Sequence, residues 1–323
     1  MSGTSWLLPE ASDIASRIDV LFWCATAACA IVALAIFAVI VFYCVRYRHG
    51  SNADRRGRHN QSLGVELTWT LVPFAMFVAI FVWSLLLYAQ IHTPPADAQD
   101  IYVVAKQWMW KVQHPGGQRE IDSLHVPLGK PVLLTMISQD VVHSFYVPAF
   151  RLKQDLLPGQ YTQLWFTPTQ VGEFPLLCAQ YCGLDHARMT GSVSVMTPAD
   201  YARWLHGNAS PTSLIARGAA LFRAHGCSGC HGPNAAVHAP DLDGIAGCRV
   251  QLADGSSVLA DDRYLRDSIL LPRSELVAGY APIMPSFSGQ VDEADLLALL
   301  AYLKSTPAGA APEDAARSTQ SHD

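Results

Sequence analysis

Between Cys178 and Met189 the chain reads Cys-Ala-Gln-Tyr-Cys-Gly-Leu-Asp-His-Ala-Arg-Met. These twelve residues hold four soft or borderline ligands, Cys178, Cys182, His186 and Met189. Thiolate and thioether sulfur with imidazole nitrogen suit copper that transfers electrons. A mononuclear site of that kind needs one thiolate. Two in one loop point to two copper ions bridged by two thiolates, with one terminal histidine each. The second imidazole must come from elsewhere, and His143 in Val-Val-His-Ser-Phe, at the end of an apolar strand-like run, is the natural source. A Cys178–Cys182 disulfide and a structural zinc site of two Cys and two His compete for the same residues. Neither uses Met189.

A second redox motif follows at Cys227-Ser-Gly-Cys230-His231, the Cys-x-x-Cys-His pattern of covalent haem attachment. Two thiols form thioethers to the haem vinyls, and the adjacent histidine ligates iron. The alternative, a thioredoxin-like pair, lacks the neighbouring βαβ pattern. Beyond His231 the one methionine is Met284, in Pro-Ile-Met-Pro-Ser; His238 is too near in sequence to reach the opposite face easily, and His322 lies in the tail. Elimination makes Met284 the distal ligand, and a Met/His pair raises the haem potential.

The copper loop, His143 with Ser144, and the run Gln107-Trp108-Met109-Trp110 resemble subunit II of the haem-copper cytochrome c oxidases. The resemblance covers nearly the whole chain, and its C-terminal third looks like the caa-type variant with a fused cytochrome c. It implies a dinuclear CuA centre held by His143, Cys178, Cys182, His186, Met189 and the backbone carbonyl of Gln180. Many relatives carry Glu at the Gln180 position, where it helps bind magnesium at the subunit I interface. Gln180 keeps the carbonyl but not the charge, which leaves magnesium open. The resemblance also implies that electrons enter at an exposed Trp108 ring. It places Asp140 and Asp155 at interfaces and in proton exit, read here as supporting groups around the site.

The elements that must position these groups follow from composition. Of 323 residues, 50% are hydrophobic and 15% charged, against about 25% charged in soluble proteins, and mean hydropathy is +0.19. Part of this chain lives in lipid. Val20–Val45 and Leu67–Ile91 carry no charge, and each exceeds the roughly 20 residues that span a bilayer as a helix. Cys24, Cys29 and Cys44 read as small buried hydrophobes; Cys248 is left without a role. The connecting loop holds Arg46, Arg48, Arg55, Arg56 and Arg58 against Asp54 alone, so it is expected in the cytoplasm. Both termini and the redox domains then face the periplasm of a bacterial cell membrane. Residues 1–19 lack a basic n-region, so no cleaved signal peptide is expected. Glu66 suits a helix start; the resemblance places it near a proton path into subunit I.

The domains expected are a segment and transmembrane hairpin over residues 1–92, a copper domain over 93–205, a cytochrome c domain over 212–306, and a disordered tail over 307–323. Ile101–Val104, Val132–Met136, Tyr161–Phe166 and Ser192–Val195 are strand-like runs separated by turn signals, as in a cupredoxin-like β-sandwich. Trp108 and Trp110, two apart, are expected on one strand face. Residues 197–211 read as a linker. Ser213–His225 and Asp292–Lys304 read as helices, with Gly218 and Phe222 facing Leu299 and Tyr302 as in the crossing of small all-α class I cytochromes c.

The function expected is electron relay in a proton-pumping cytochrome c oxidase, from haem c to CuA and on to an oxygen-reducing subunit I. The partners are subunit I, other oxidase subunits, lipid, and an outside donor such as a respiratory complex or a cytochrome c. The net charge of −5 argues against nucleic acid. The alternatives are a tethered haem c/CuA carrier for a nitric oxide or nitrous oxide reductase, and a non-catalytic copper-delivery or sensing protein. The run Lys111–Arg119 is basic where an acidic donor patch would begin. A tether holding the haem domain at roughly millimolar effective concentration is expected to replace charge steering.

Overall fold

The computed structural model describes residues 8–55, 62–208, 212–232, 235, 237 and 239–306. Arg56, Arg58, Ser210, Pro211, His238 and the tail from 307 lie outside the described residues.

Two long helices come first: α1 (Asp13–Arg46, 34 residues) and α2 (Leu63–Ile91, 29 residues). Both begin before the apolar runs do. Ser12 caps α1 by accepting the Ala15 N–H at 3.1 Å, so Asp13–Asp19 add a polar start to it. Among the described residues these are the two helices long and apolar enough to cross a membrane, and their apolar faces are almost wholly uncovered by protein. A helix that is apolar all round and unburied has lipid as its solvent.

Ten strands make two five-stranded sheets. β1 (Gln99–Lys106), β2 (Met109–Gln113), β3 (Arg119–Ile121), β5 (Val132–Ser138) and β8 (Thr162–Phe166) form one, in the order β3-β2-β1-β5-β8. β4 (Ser123–Pro127), β6 (His143–Val147), β7 (Leu152–Leu156), β9 (Gly172–Cys178) and β10 (Thr190–Met196) form the other, in the order β4-β10-β9-β6-β7. Pairing is antiparallel except β1 with β5 and β4 with β10, which are parallel. Between the sheets Trp110, Phe145, Phe150, Phe166 and Leu176 are fully buried.

The N-terminal segment belongs to this sandwich. Ala11 N donates to Ala149 O at 2.9 Å, Thr169 N donates to Ala11 O at 3.0 Å, and Ile14 is buried in the core. Arg151 binds both carboxylate oxygens of Asp19, at 2.7 and 2.8 Å. The polar composition of residues 8–19 hid this docking.

Two further expectations are corrected. Residues 198–207 are not linker but α3 (Pro198–Gly207), capped by Thr197 with Pro at its first turn. The helix packs on the sandwich through buried Tyr201 and through Trp204, which stacks on His125 at 4.6 Å. Trp108 and Trp110 do not share a strand face: Trp108 lies in the turn before β2, and only Trp110 is on the strand.

After residue 212 come α4 (Leu214–Ala224), the hairpin β11 (Arg249–Gln251) and β12 (Ser257–Leu259), α5 (Asp262–Leu270) and α6 (Glu293–Ser305). The hairpin is an addition to the expected helices. α4 crosses α6 at Gly218, where a Cβ would fall 1.9 Å from Ala298 O and 2.7 Å from Tyr302 Cβ. Only glycine lets the two backbones meet this closely. Phe222 and Tyr302 close the crossing, with ring centroids 5.4 Å apart.

Candidate metal centre

β6, β9 and β10 are neighbours in one sheet, and their ends build the site. His143 is the first residue of β6 and Cys178 the last of β9, paired in register opposite Phe145. The intervening loop returns to β10 and is tied down at its base: Ala179 N donates to Ser144 O at 3.0 Å, and Cys178 N to Met189 O at 3.2 Å. Gln107 steadies the middle, donating its side-chain amide to Cys182 O at 2.7 Å. Gly183 has φ +118°, a conformation suited to glycine, and a Cβ there would meet Trp108 Cζ2 at 3.3 Å. Trp108 therefore lies against the loop. It is half-buried, not the exposed ring expected.

The ligand atoms converge. Those of His143, Cys178 and Cys182 all lie within 4.8 Å of one another. Cys182 Sγ is 3.5 Å from His186 Nδ1 and 3.8 Å from Met189 Sδ, and Cys178 Sγ is 3.2 Å from Gln180 O. The two Sγ atoms stand 3.9 Å apart, against about 2.05 Å in a disulfide. The disulfide reading fails on that distance. Four-coordinate zinc would leave Met189 and the Gln180 carbonyl unused.

His143 supplies the clearest test of fit. Asp140 Oδ1 lies 2.8 Å from Nε2, while the buried Nδ1 has no hydrogen-bond partner among the described residues. Burial opposes charge on Asp140, but the Gln107 N–H, the His143 ring and the Val141 N–H hold its carboxyl below the usual range. A carboxylate on one ring nitrogen fixes the tautomer and leaves the other as a metal donor. Burial also opposes ionisation of Cys178, but the neighbouring His143 ring, with the backbone at Ser144 and Gln180, outweighs it and brings the thiol to about 6. Burial and then the Cys178 charge push Cys182 up to about 12. Two thiolates this close are stable only with positive charge between them. The donor set fits a pair of copper ions, whose soft-ligand preference it matches.

The second motif lies at the end of α4. Cys227–Gly229 form a short turn, neither Cys227 nor Cys230 is in a disulfide, and His231 N donates to Cys227 O at 2.9 Å. His231 Nδ1 lies 2.9 Å from Pro240 O. That bond places the ring proton on Nδ1 and keeps Nε2 as the donor for iron. Met284 is half-buried on the connection between α5 and α6. Glu66 sits in the first turn of α2. Asp155 accepts from Ser144 Oγ at 2.6 Å and from Lys153 Nζ at 3.0 Å.

Comparison with known proteins divides the chain at these same features. Residues 5–87 match the family described as cytochrome c oxidase subunit II, transmembrane domain; residues 98–196 match its periplasmic domain; residues 215–307 match cytochrome c. The alternative cytochrome c oxidase subunit 2 of Bradyrhizobium diazoefficiens is 31% identical over 253 residues, covering 67% of this chain and 88% of that one. The chain belongs to the cytochrome c oxidase subunit 2 family. The subunit 2 of Alkalihalophilus pseudofirmus is 28% identical over 85% of this chain and 83% of its own, and that of Cereibacter sphaeroides 30% identical over 63% and 80%. Subunit 2 chains are components of an oxidoreductase complex, and this one is membrane-anchored and carries a cytochrome c domain that suits it to electron transfer.

Proposed function

We propose that this subunit 2 chain receives electrons at a covalent haem c and passes them through a dinuclear CuA centre to an oxygen-reducing, proton-pumping subunit I. The convergence of His143, Cys178, Cys182, His186, Met189 and the Gln180 carbonyl carries the reading. In it, His143, Cys178, Cys182, His186, Met189 and the Gln180 carbonyl hold copper. Cys227 and Cys230 attach haem, and His231 with Met284 ligates its iron. When bound, these groups supply one-electron redox chemistry at low reorganisation. The protein fixes the His143 tautomer, closes the loop and seats Trp108 against Gly183, where electrons enter.

The Arg-rich loop faces the cytoplasm and the redox domains the periplasm. Glu66 is then near the cytoplasmic surface, in position for a proton path in the neighbouring subunit. Magnesium is no part of the proposal, since Gln180 has no carboxylate to offer it.

The test is purification from the native membrane. Two copper ions and one iron per chain, with a haem-bearing catalytic subunit co-purifying, are expected. Stoichiometric zinc without a near-infrared copper band, or a partner lacking oxygen-reducing activity, overturns it.

A further inference from the structure

β1 carries a pattern that a free-standing sandwich does not need. A strand with one face in solvent alternates apolar and polar residues, whereas one covered on both faces reads as an unbroken apolar run. Ile101-Tyr-Val-Val-Ala105 is unbroken. Ile101, Val103 and Ala105 point into the sandwich core, while Tyr102 and Val104, each 5% exposed, and Ile137 of β5, 0% exposed, belong to a different cluster on the outer face. Their partners there are Leu214 of α4 and Leu297 and Ala298 of α6, with Leu221, Ala301 and Tyr161 packed around them.

Polar contacts seal both ends of this seam. Arg266 of α5 donates to Gly159 O of the copper domain at 3.4 Å and to Glu293 at the start of α6 at 2.7 Å. At the other end Lys304 faces Tyr102 and Asp100 of β1. Leu214 N donates to Pro115 O at 3.3 Å, so the turn after β2 meets the start of α4. The basic run Lys111–Arg119 thus meets the haem domain at Pro115, while His114 and Gln118 within it are buried against α3 of the copper domain.

We infer that the outer face of β1 and β5 is a docking surface for the α4/α6 helix pair, and that the two redox domains work as one fixed body instead of a tethered pair. Each buried aliphatic side chain favours the docked state by about tenfold or more. With several of them in the seam, separation is too rare to lie on a working electron path. Electron transfer within the chain, one electron leaving haem iron as one arrives at the copper pair, then proceeds without domain movement. This kinetic half rests on the relay proposed above; the docking does not.

The holoenzyme provides the test. Haem c is reduced by a flash-excited ruthenium complex, and arrival at copper is followed in the near infrared. The expected rate stays within about twofold when solvent viscosity is raised severalfold, because no domain swing gates it, and likewise from low to high salt, because the seam is buried. Val104→Glu on the copper side and Ala301→Glu on the haem side should each slow transfer at least tenfold and make it viscosity-dependent, with copper and haem content retained. In parallel, the thiol of Val104→Cys, mapped by peptide mass, should resist a water-soluble maleimide until the chain is denatured. A wild-type rate that falls with viscosity, or a thiol that labels in the native enzyme, overturns the docking. No transfer at all, with the thiol protected, overturns the relay and leaves the docking standing.

Discussion

Asp140 Oδ1 sits 2.8 Å from His143 Nε2, and the opposite ring nitrogen of that histidine is buried without a hydrogen-bond partner among the described residues. The carboxylate therefore decides which nitrogen faces the thiols. Asp140→Ala should weaken copper binding by about 10- to 100-fold, while Asp140→Asn, which keeps an acceptor oxygen, should fall between. Competition with a copper chelator measures it. Equal affinities in all three proteins would show that packing alone aims His143.

Met284 stands or falls on spectroscopy. Met284→Ala should abolish the weak sulfur-to-iron charge-transfer band and lower the haem potential. An unchanged spectrum would reassign the distal position.

Gly218 tests the helix crossing. With a Cβ only 1.9 Å from Ala298 O, Gly218→Ala must push α4 and α6 apart, at a cost on the order of 1–3 kcal/mol. Thermal unfolding of the haem domain should shift down while the copper band is unaffected. A neutral substitution would mean the crossing has room for a side chain at this position.

A pH-dependent prediction concerns Glu120. Its carboxylate accepts from His114 Nε2 at 2.8 Å and from the His125 ring and backbone N–H. Burial opposes its charge, but these bonds prevail and lower it to about 2, from 4.5. The ionised form thus stabilises the fold fully above pH 4.5, and that contribution is lost as pH falls toward 2. Glu120→Gln should cost about 3 kcal/mol near neutrality, with the gap to wild type closing between those limits. A gap independent of pH would assign the effect to shape.

The copper loop and the haem motif were legible because both are short in sequence: four ligands within twelve residues, and Cys-x-x-Cys-His. The strands at Ile101, Val132, Thr162 and Ser192 showed through their β-branched runs. β3, β4, β7 and β9 did not, because strands this short, interrupted by charged or polar residues or by proline, carry no pattern of their own. α3 carried its signals openly, Thr197 as cap and Pro198 at the first turn, but the polar residues after them outweighed these. The contact between Gly183 and Trp108 joins residues 75 apart, and no local pattern announces it. The unbroken run in β1 did announce a second covered face, yet what covers it lies more than a hundred residues downstream.

The strap at Ala11–Ile14 bears on how the molecule is assembled. Ser12 Oγ donates to Phe150 O across 138 residues of chain, and the whole membrane hairpin lies between the two. The sandwich can close over Ile14 only when both ends of the hairpin emerge on the same side of the bilayer. Correct insertion is thus a precondition for completing the copper domain, and a chain with one helix left uninserted would display the unfilled edge at Ala149 and Thr169. A soluble fragment beginning after α2 would carry the same defect permanently, and would be less stable than its counterpart in the intact subunit.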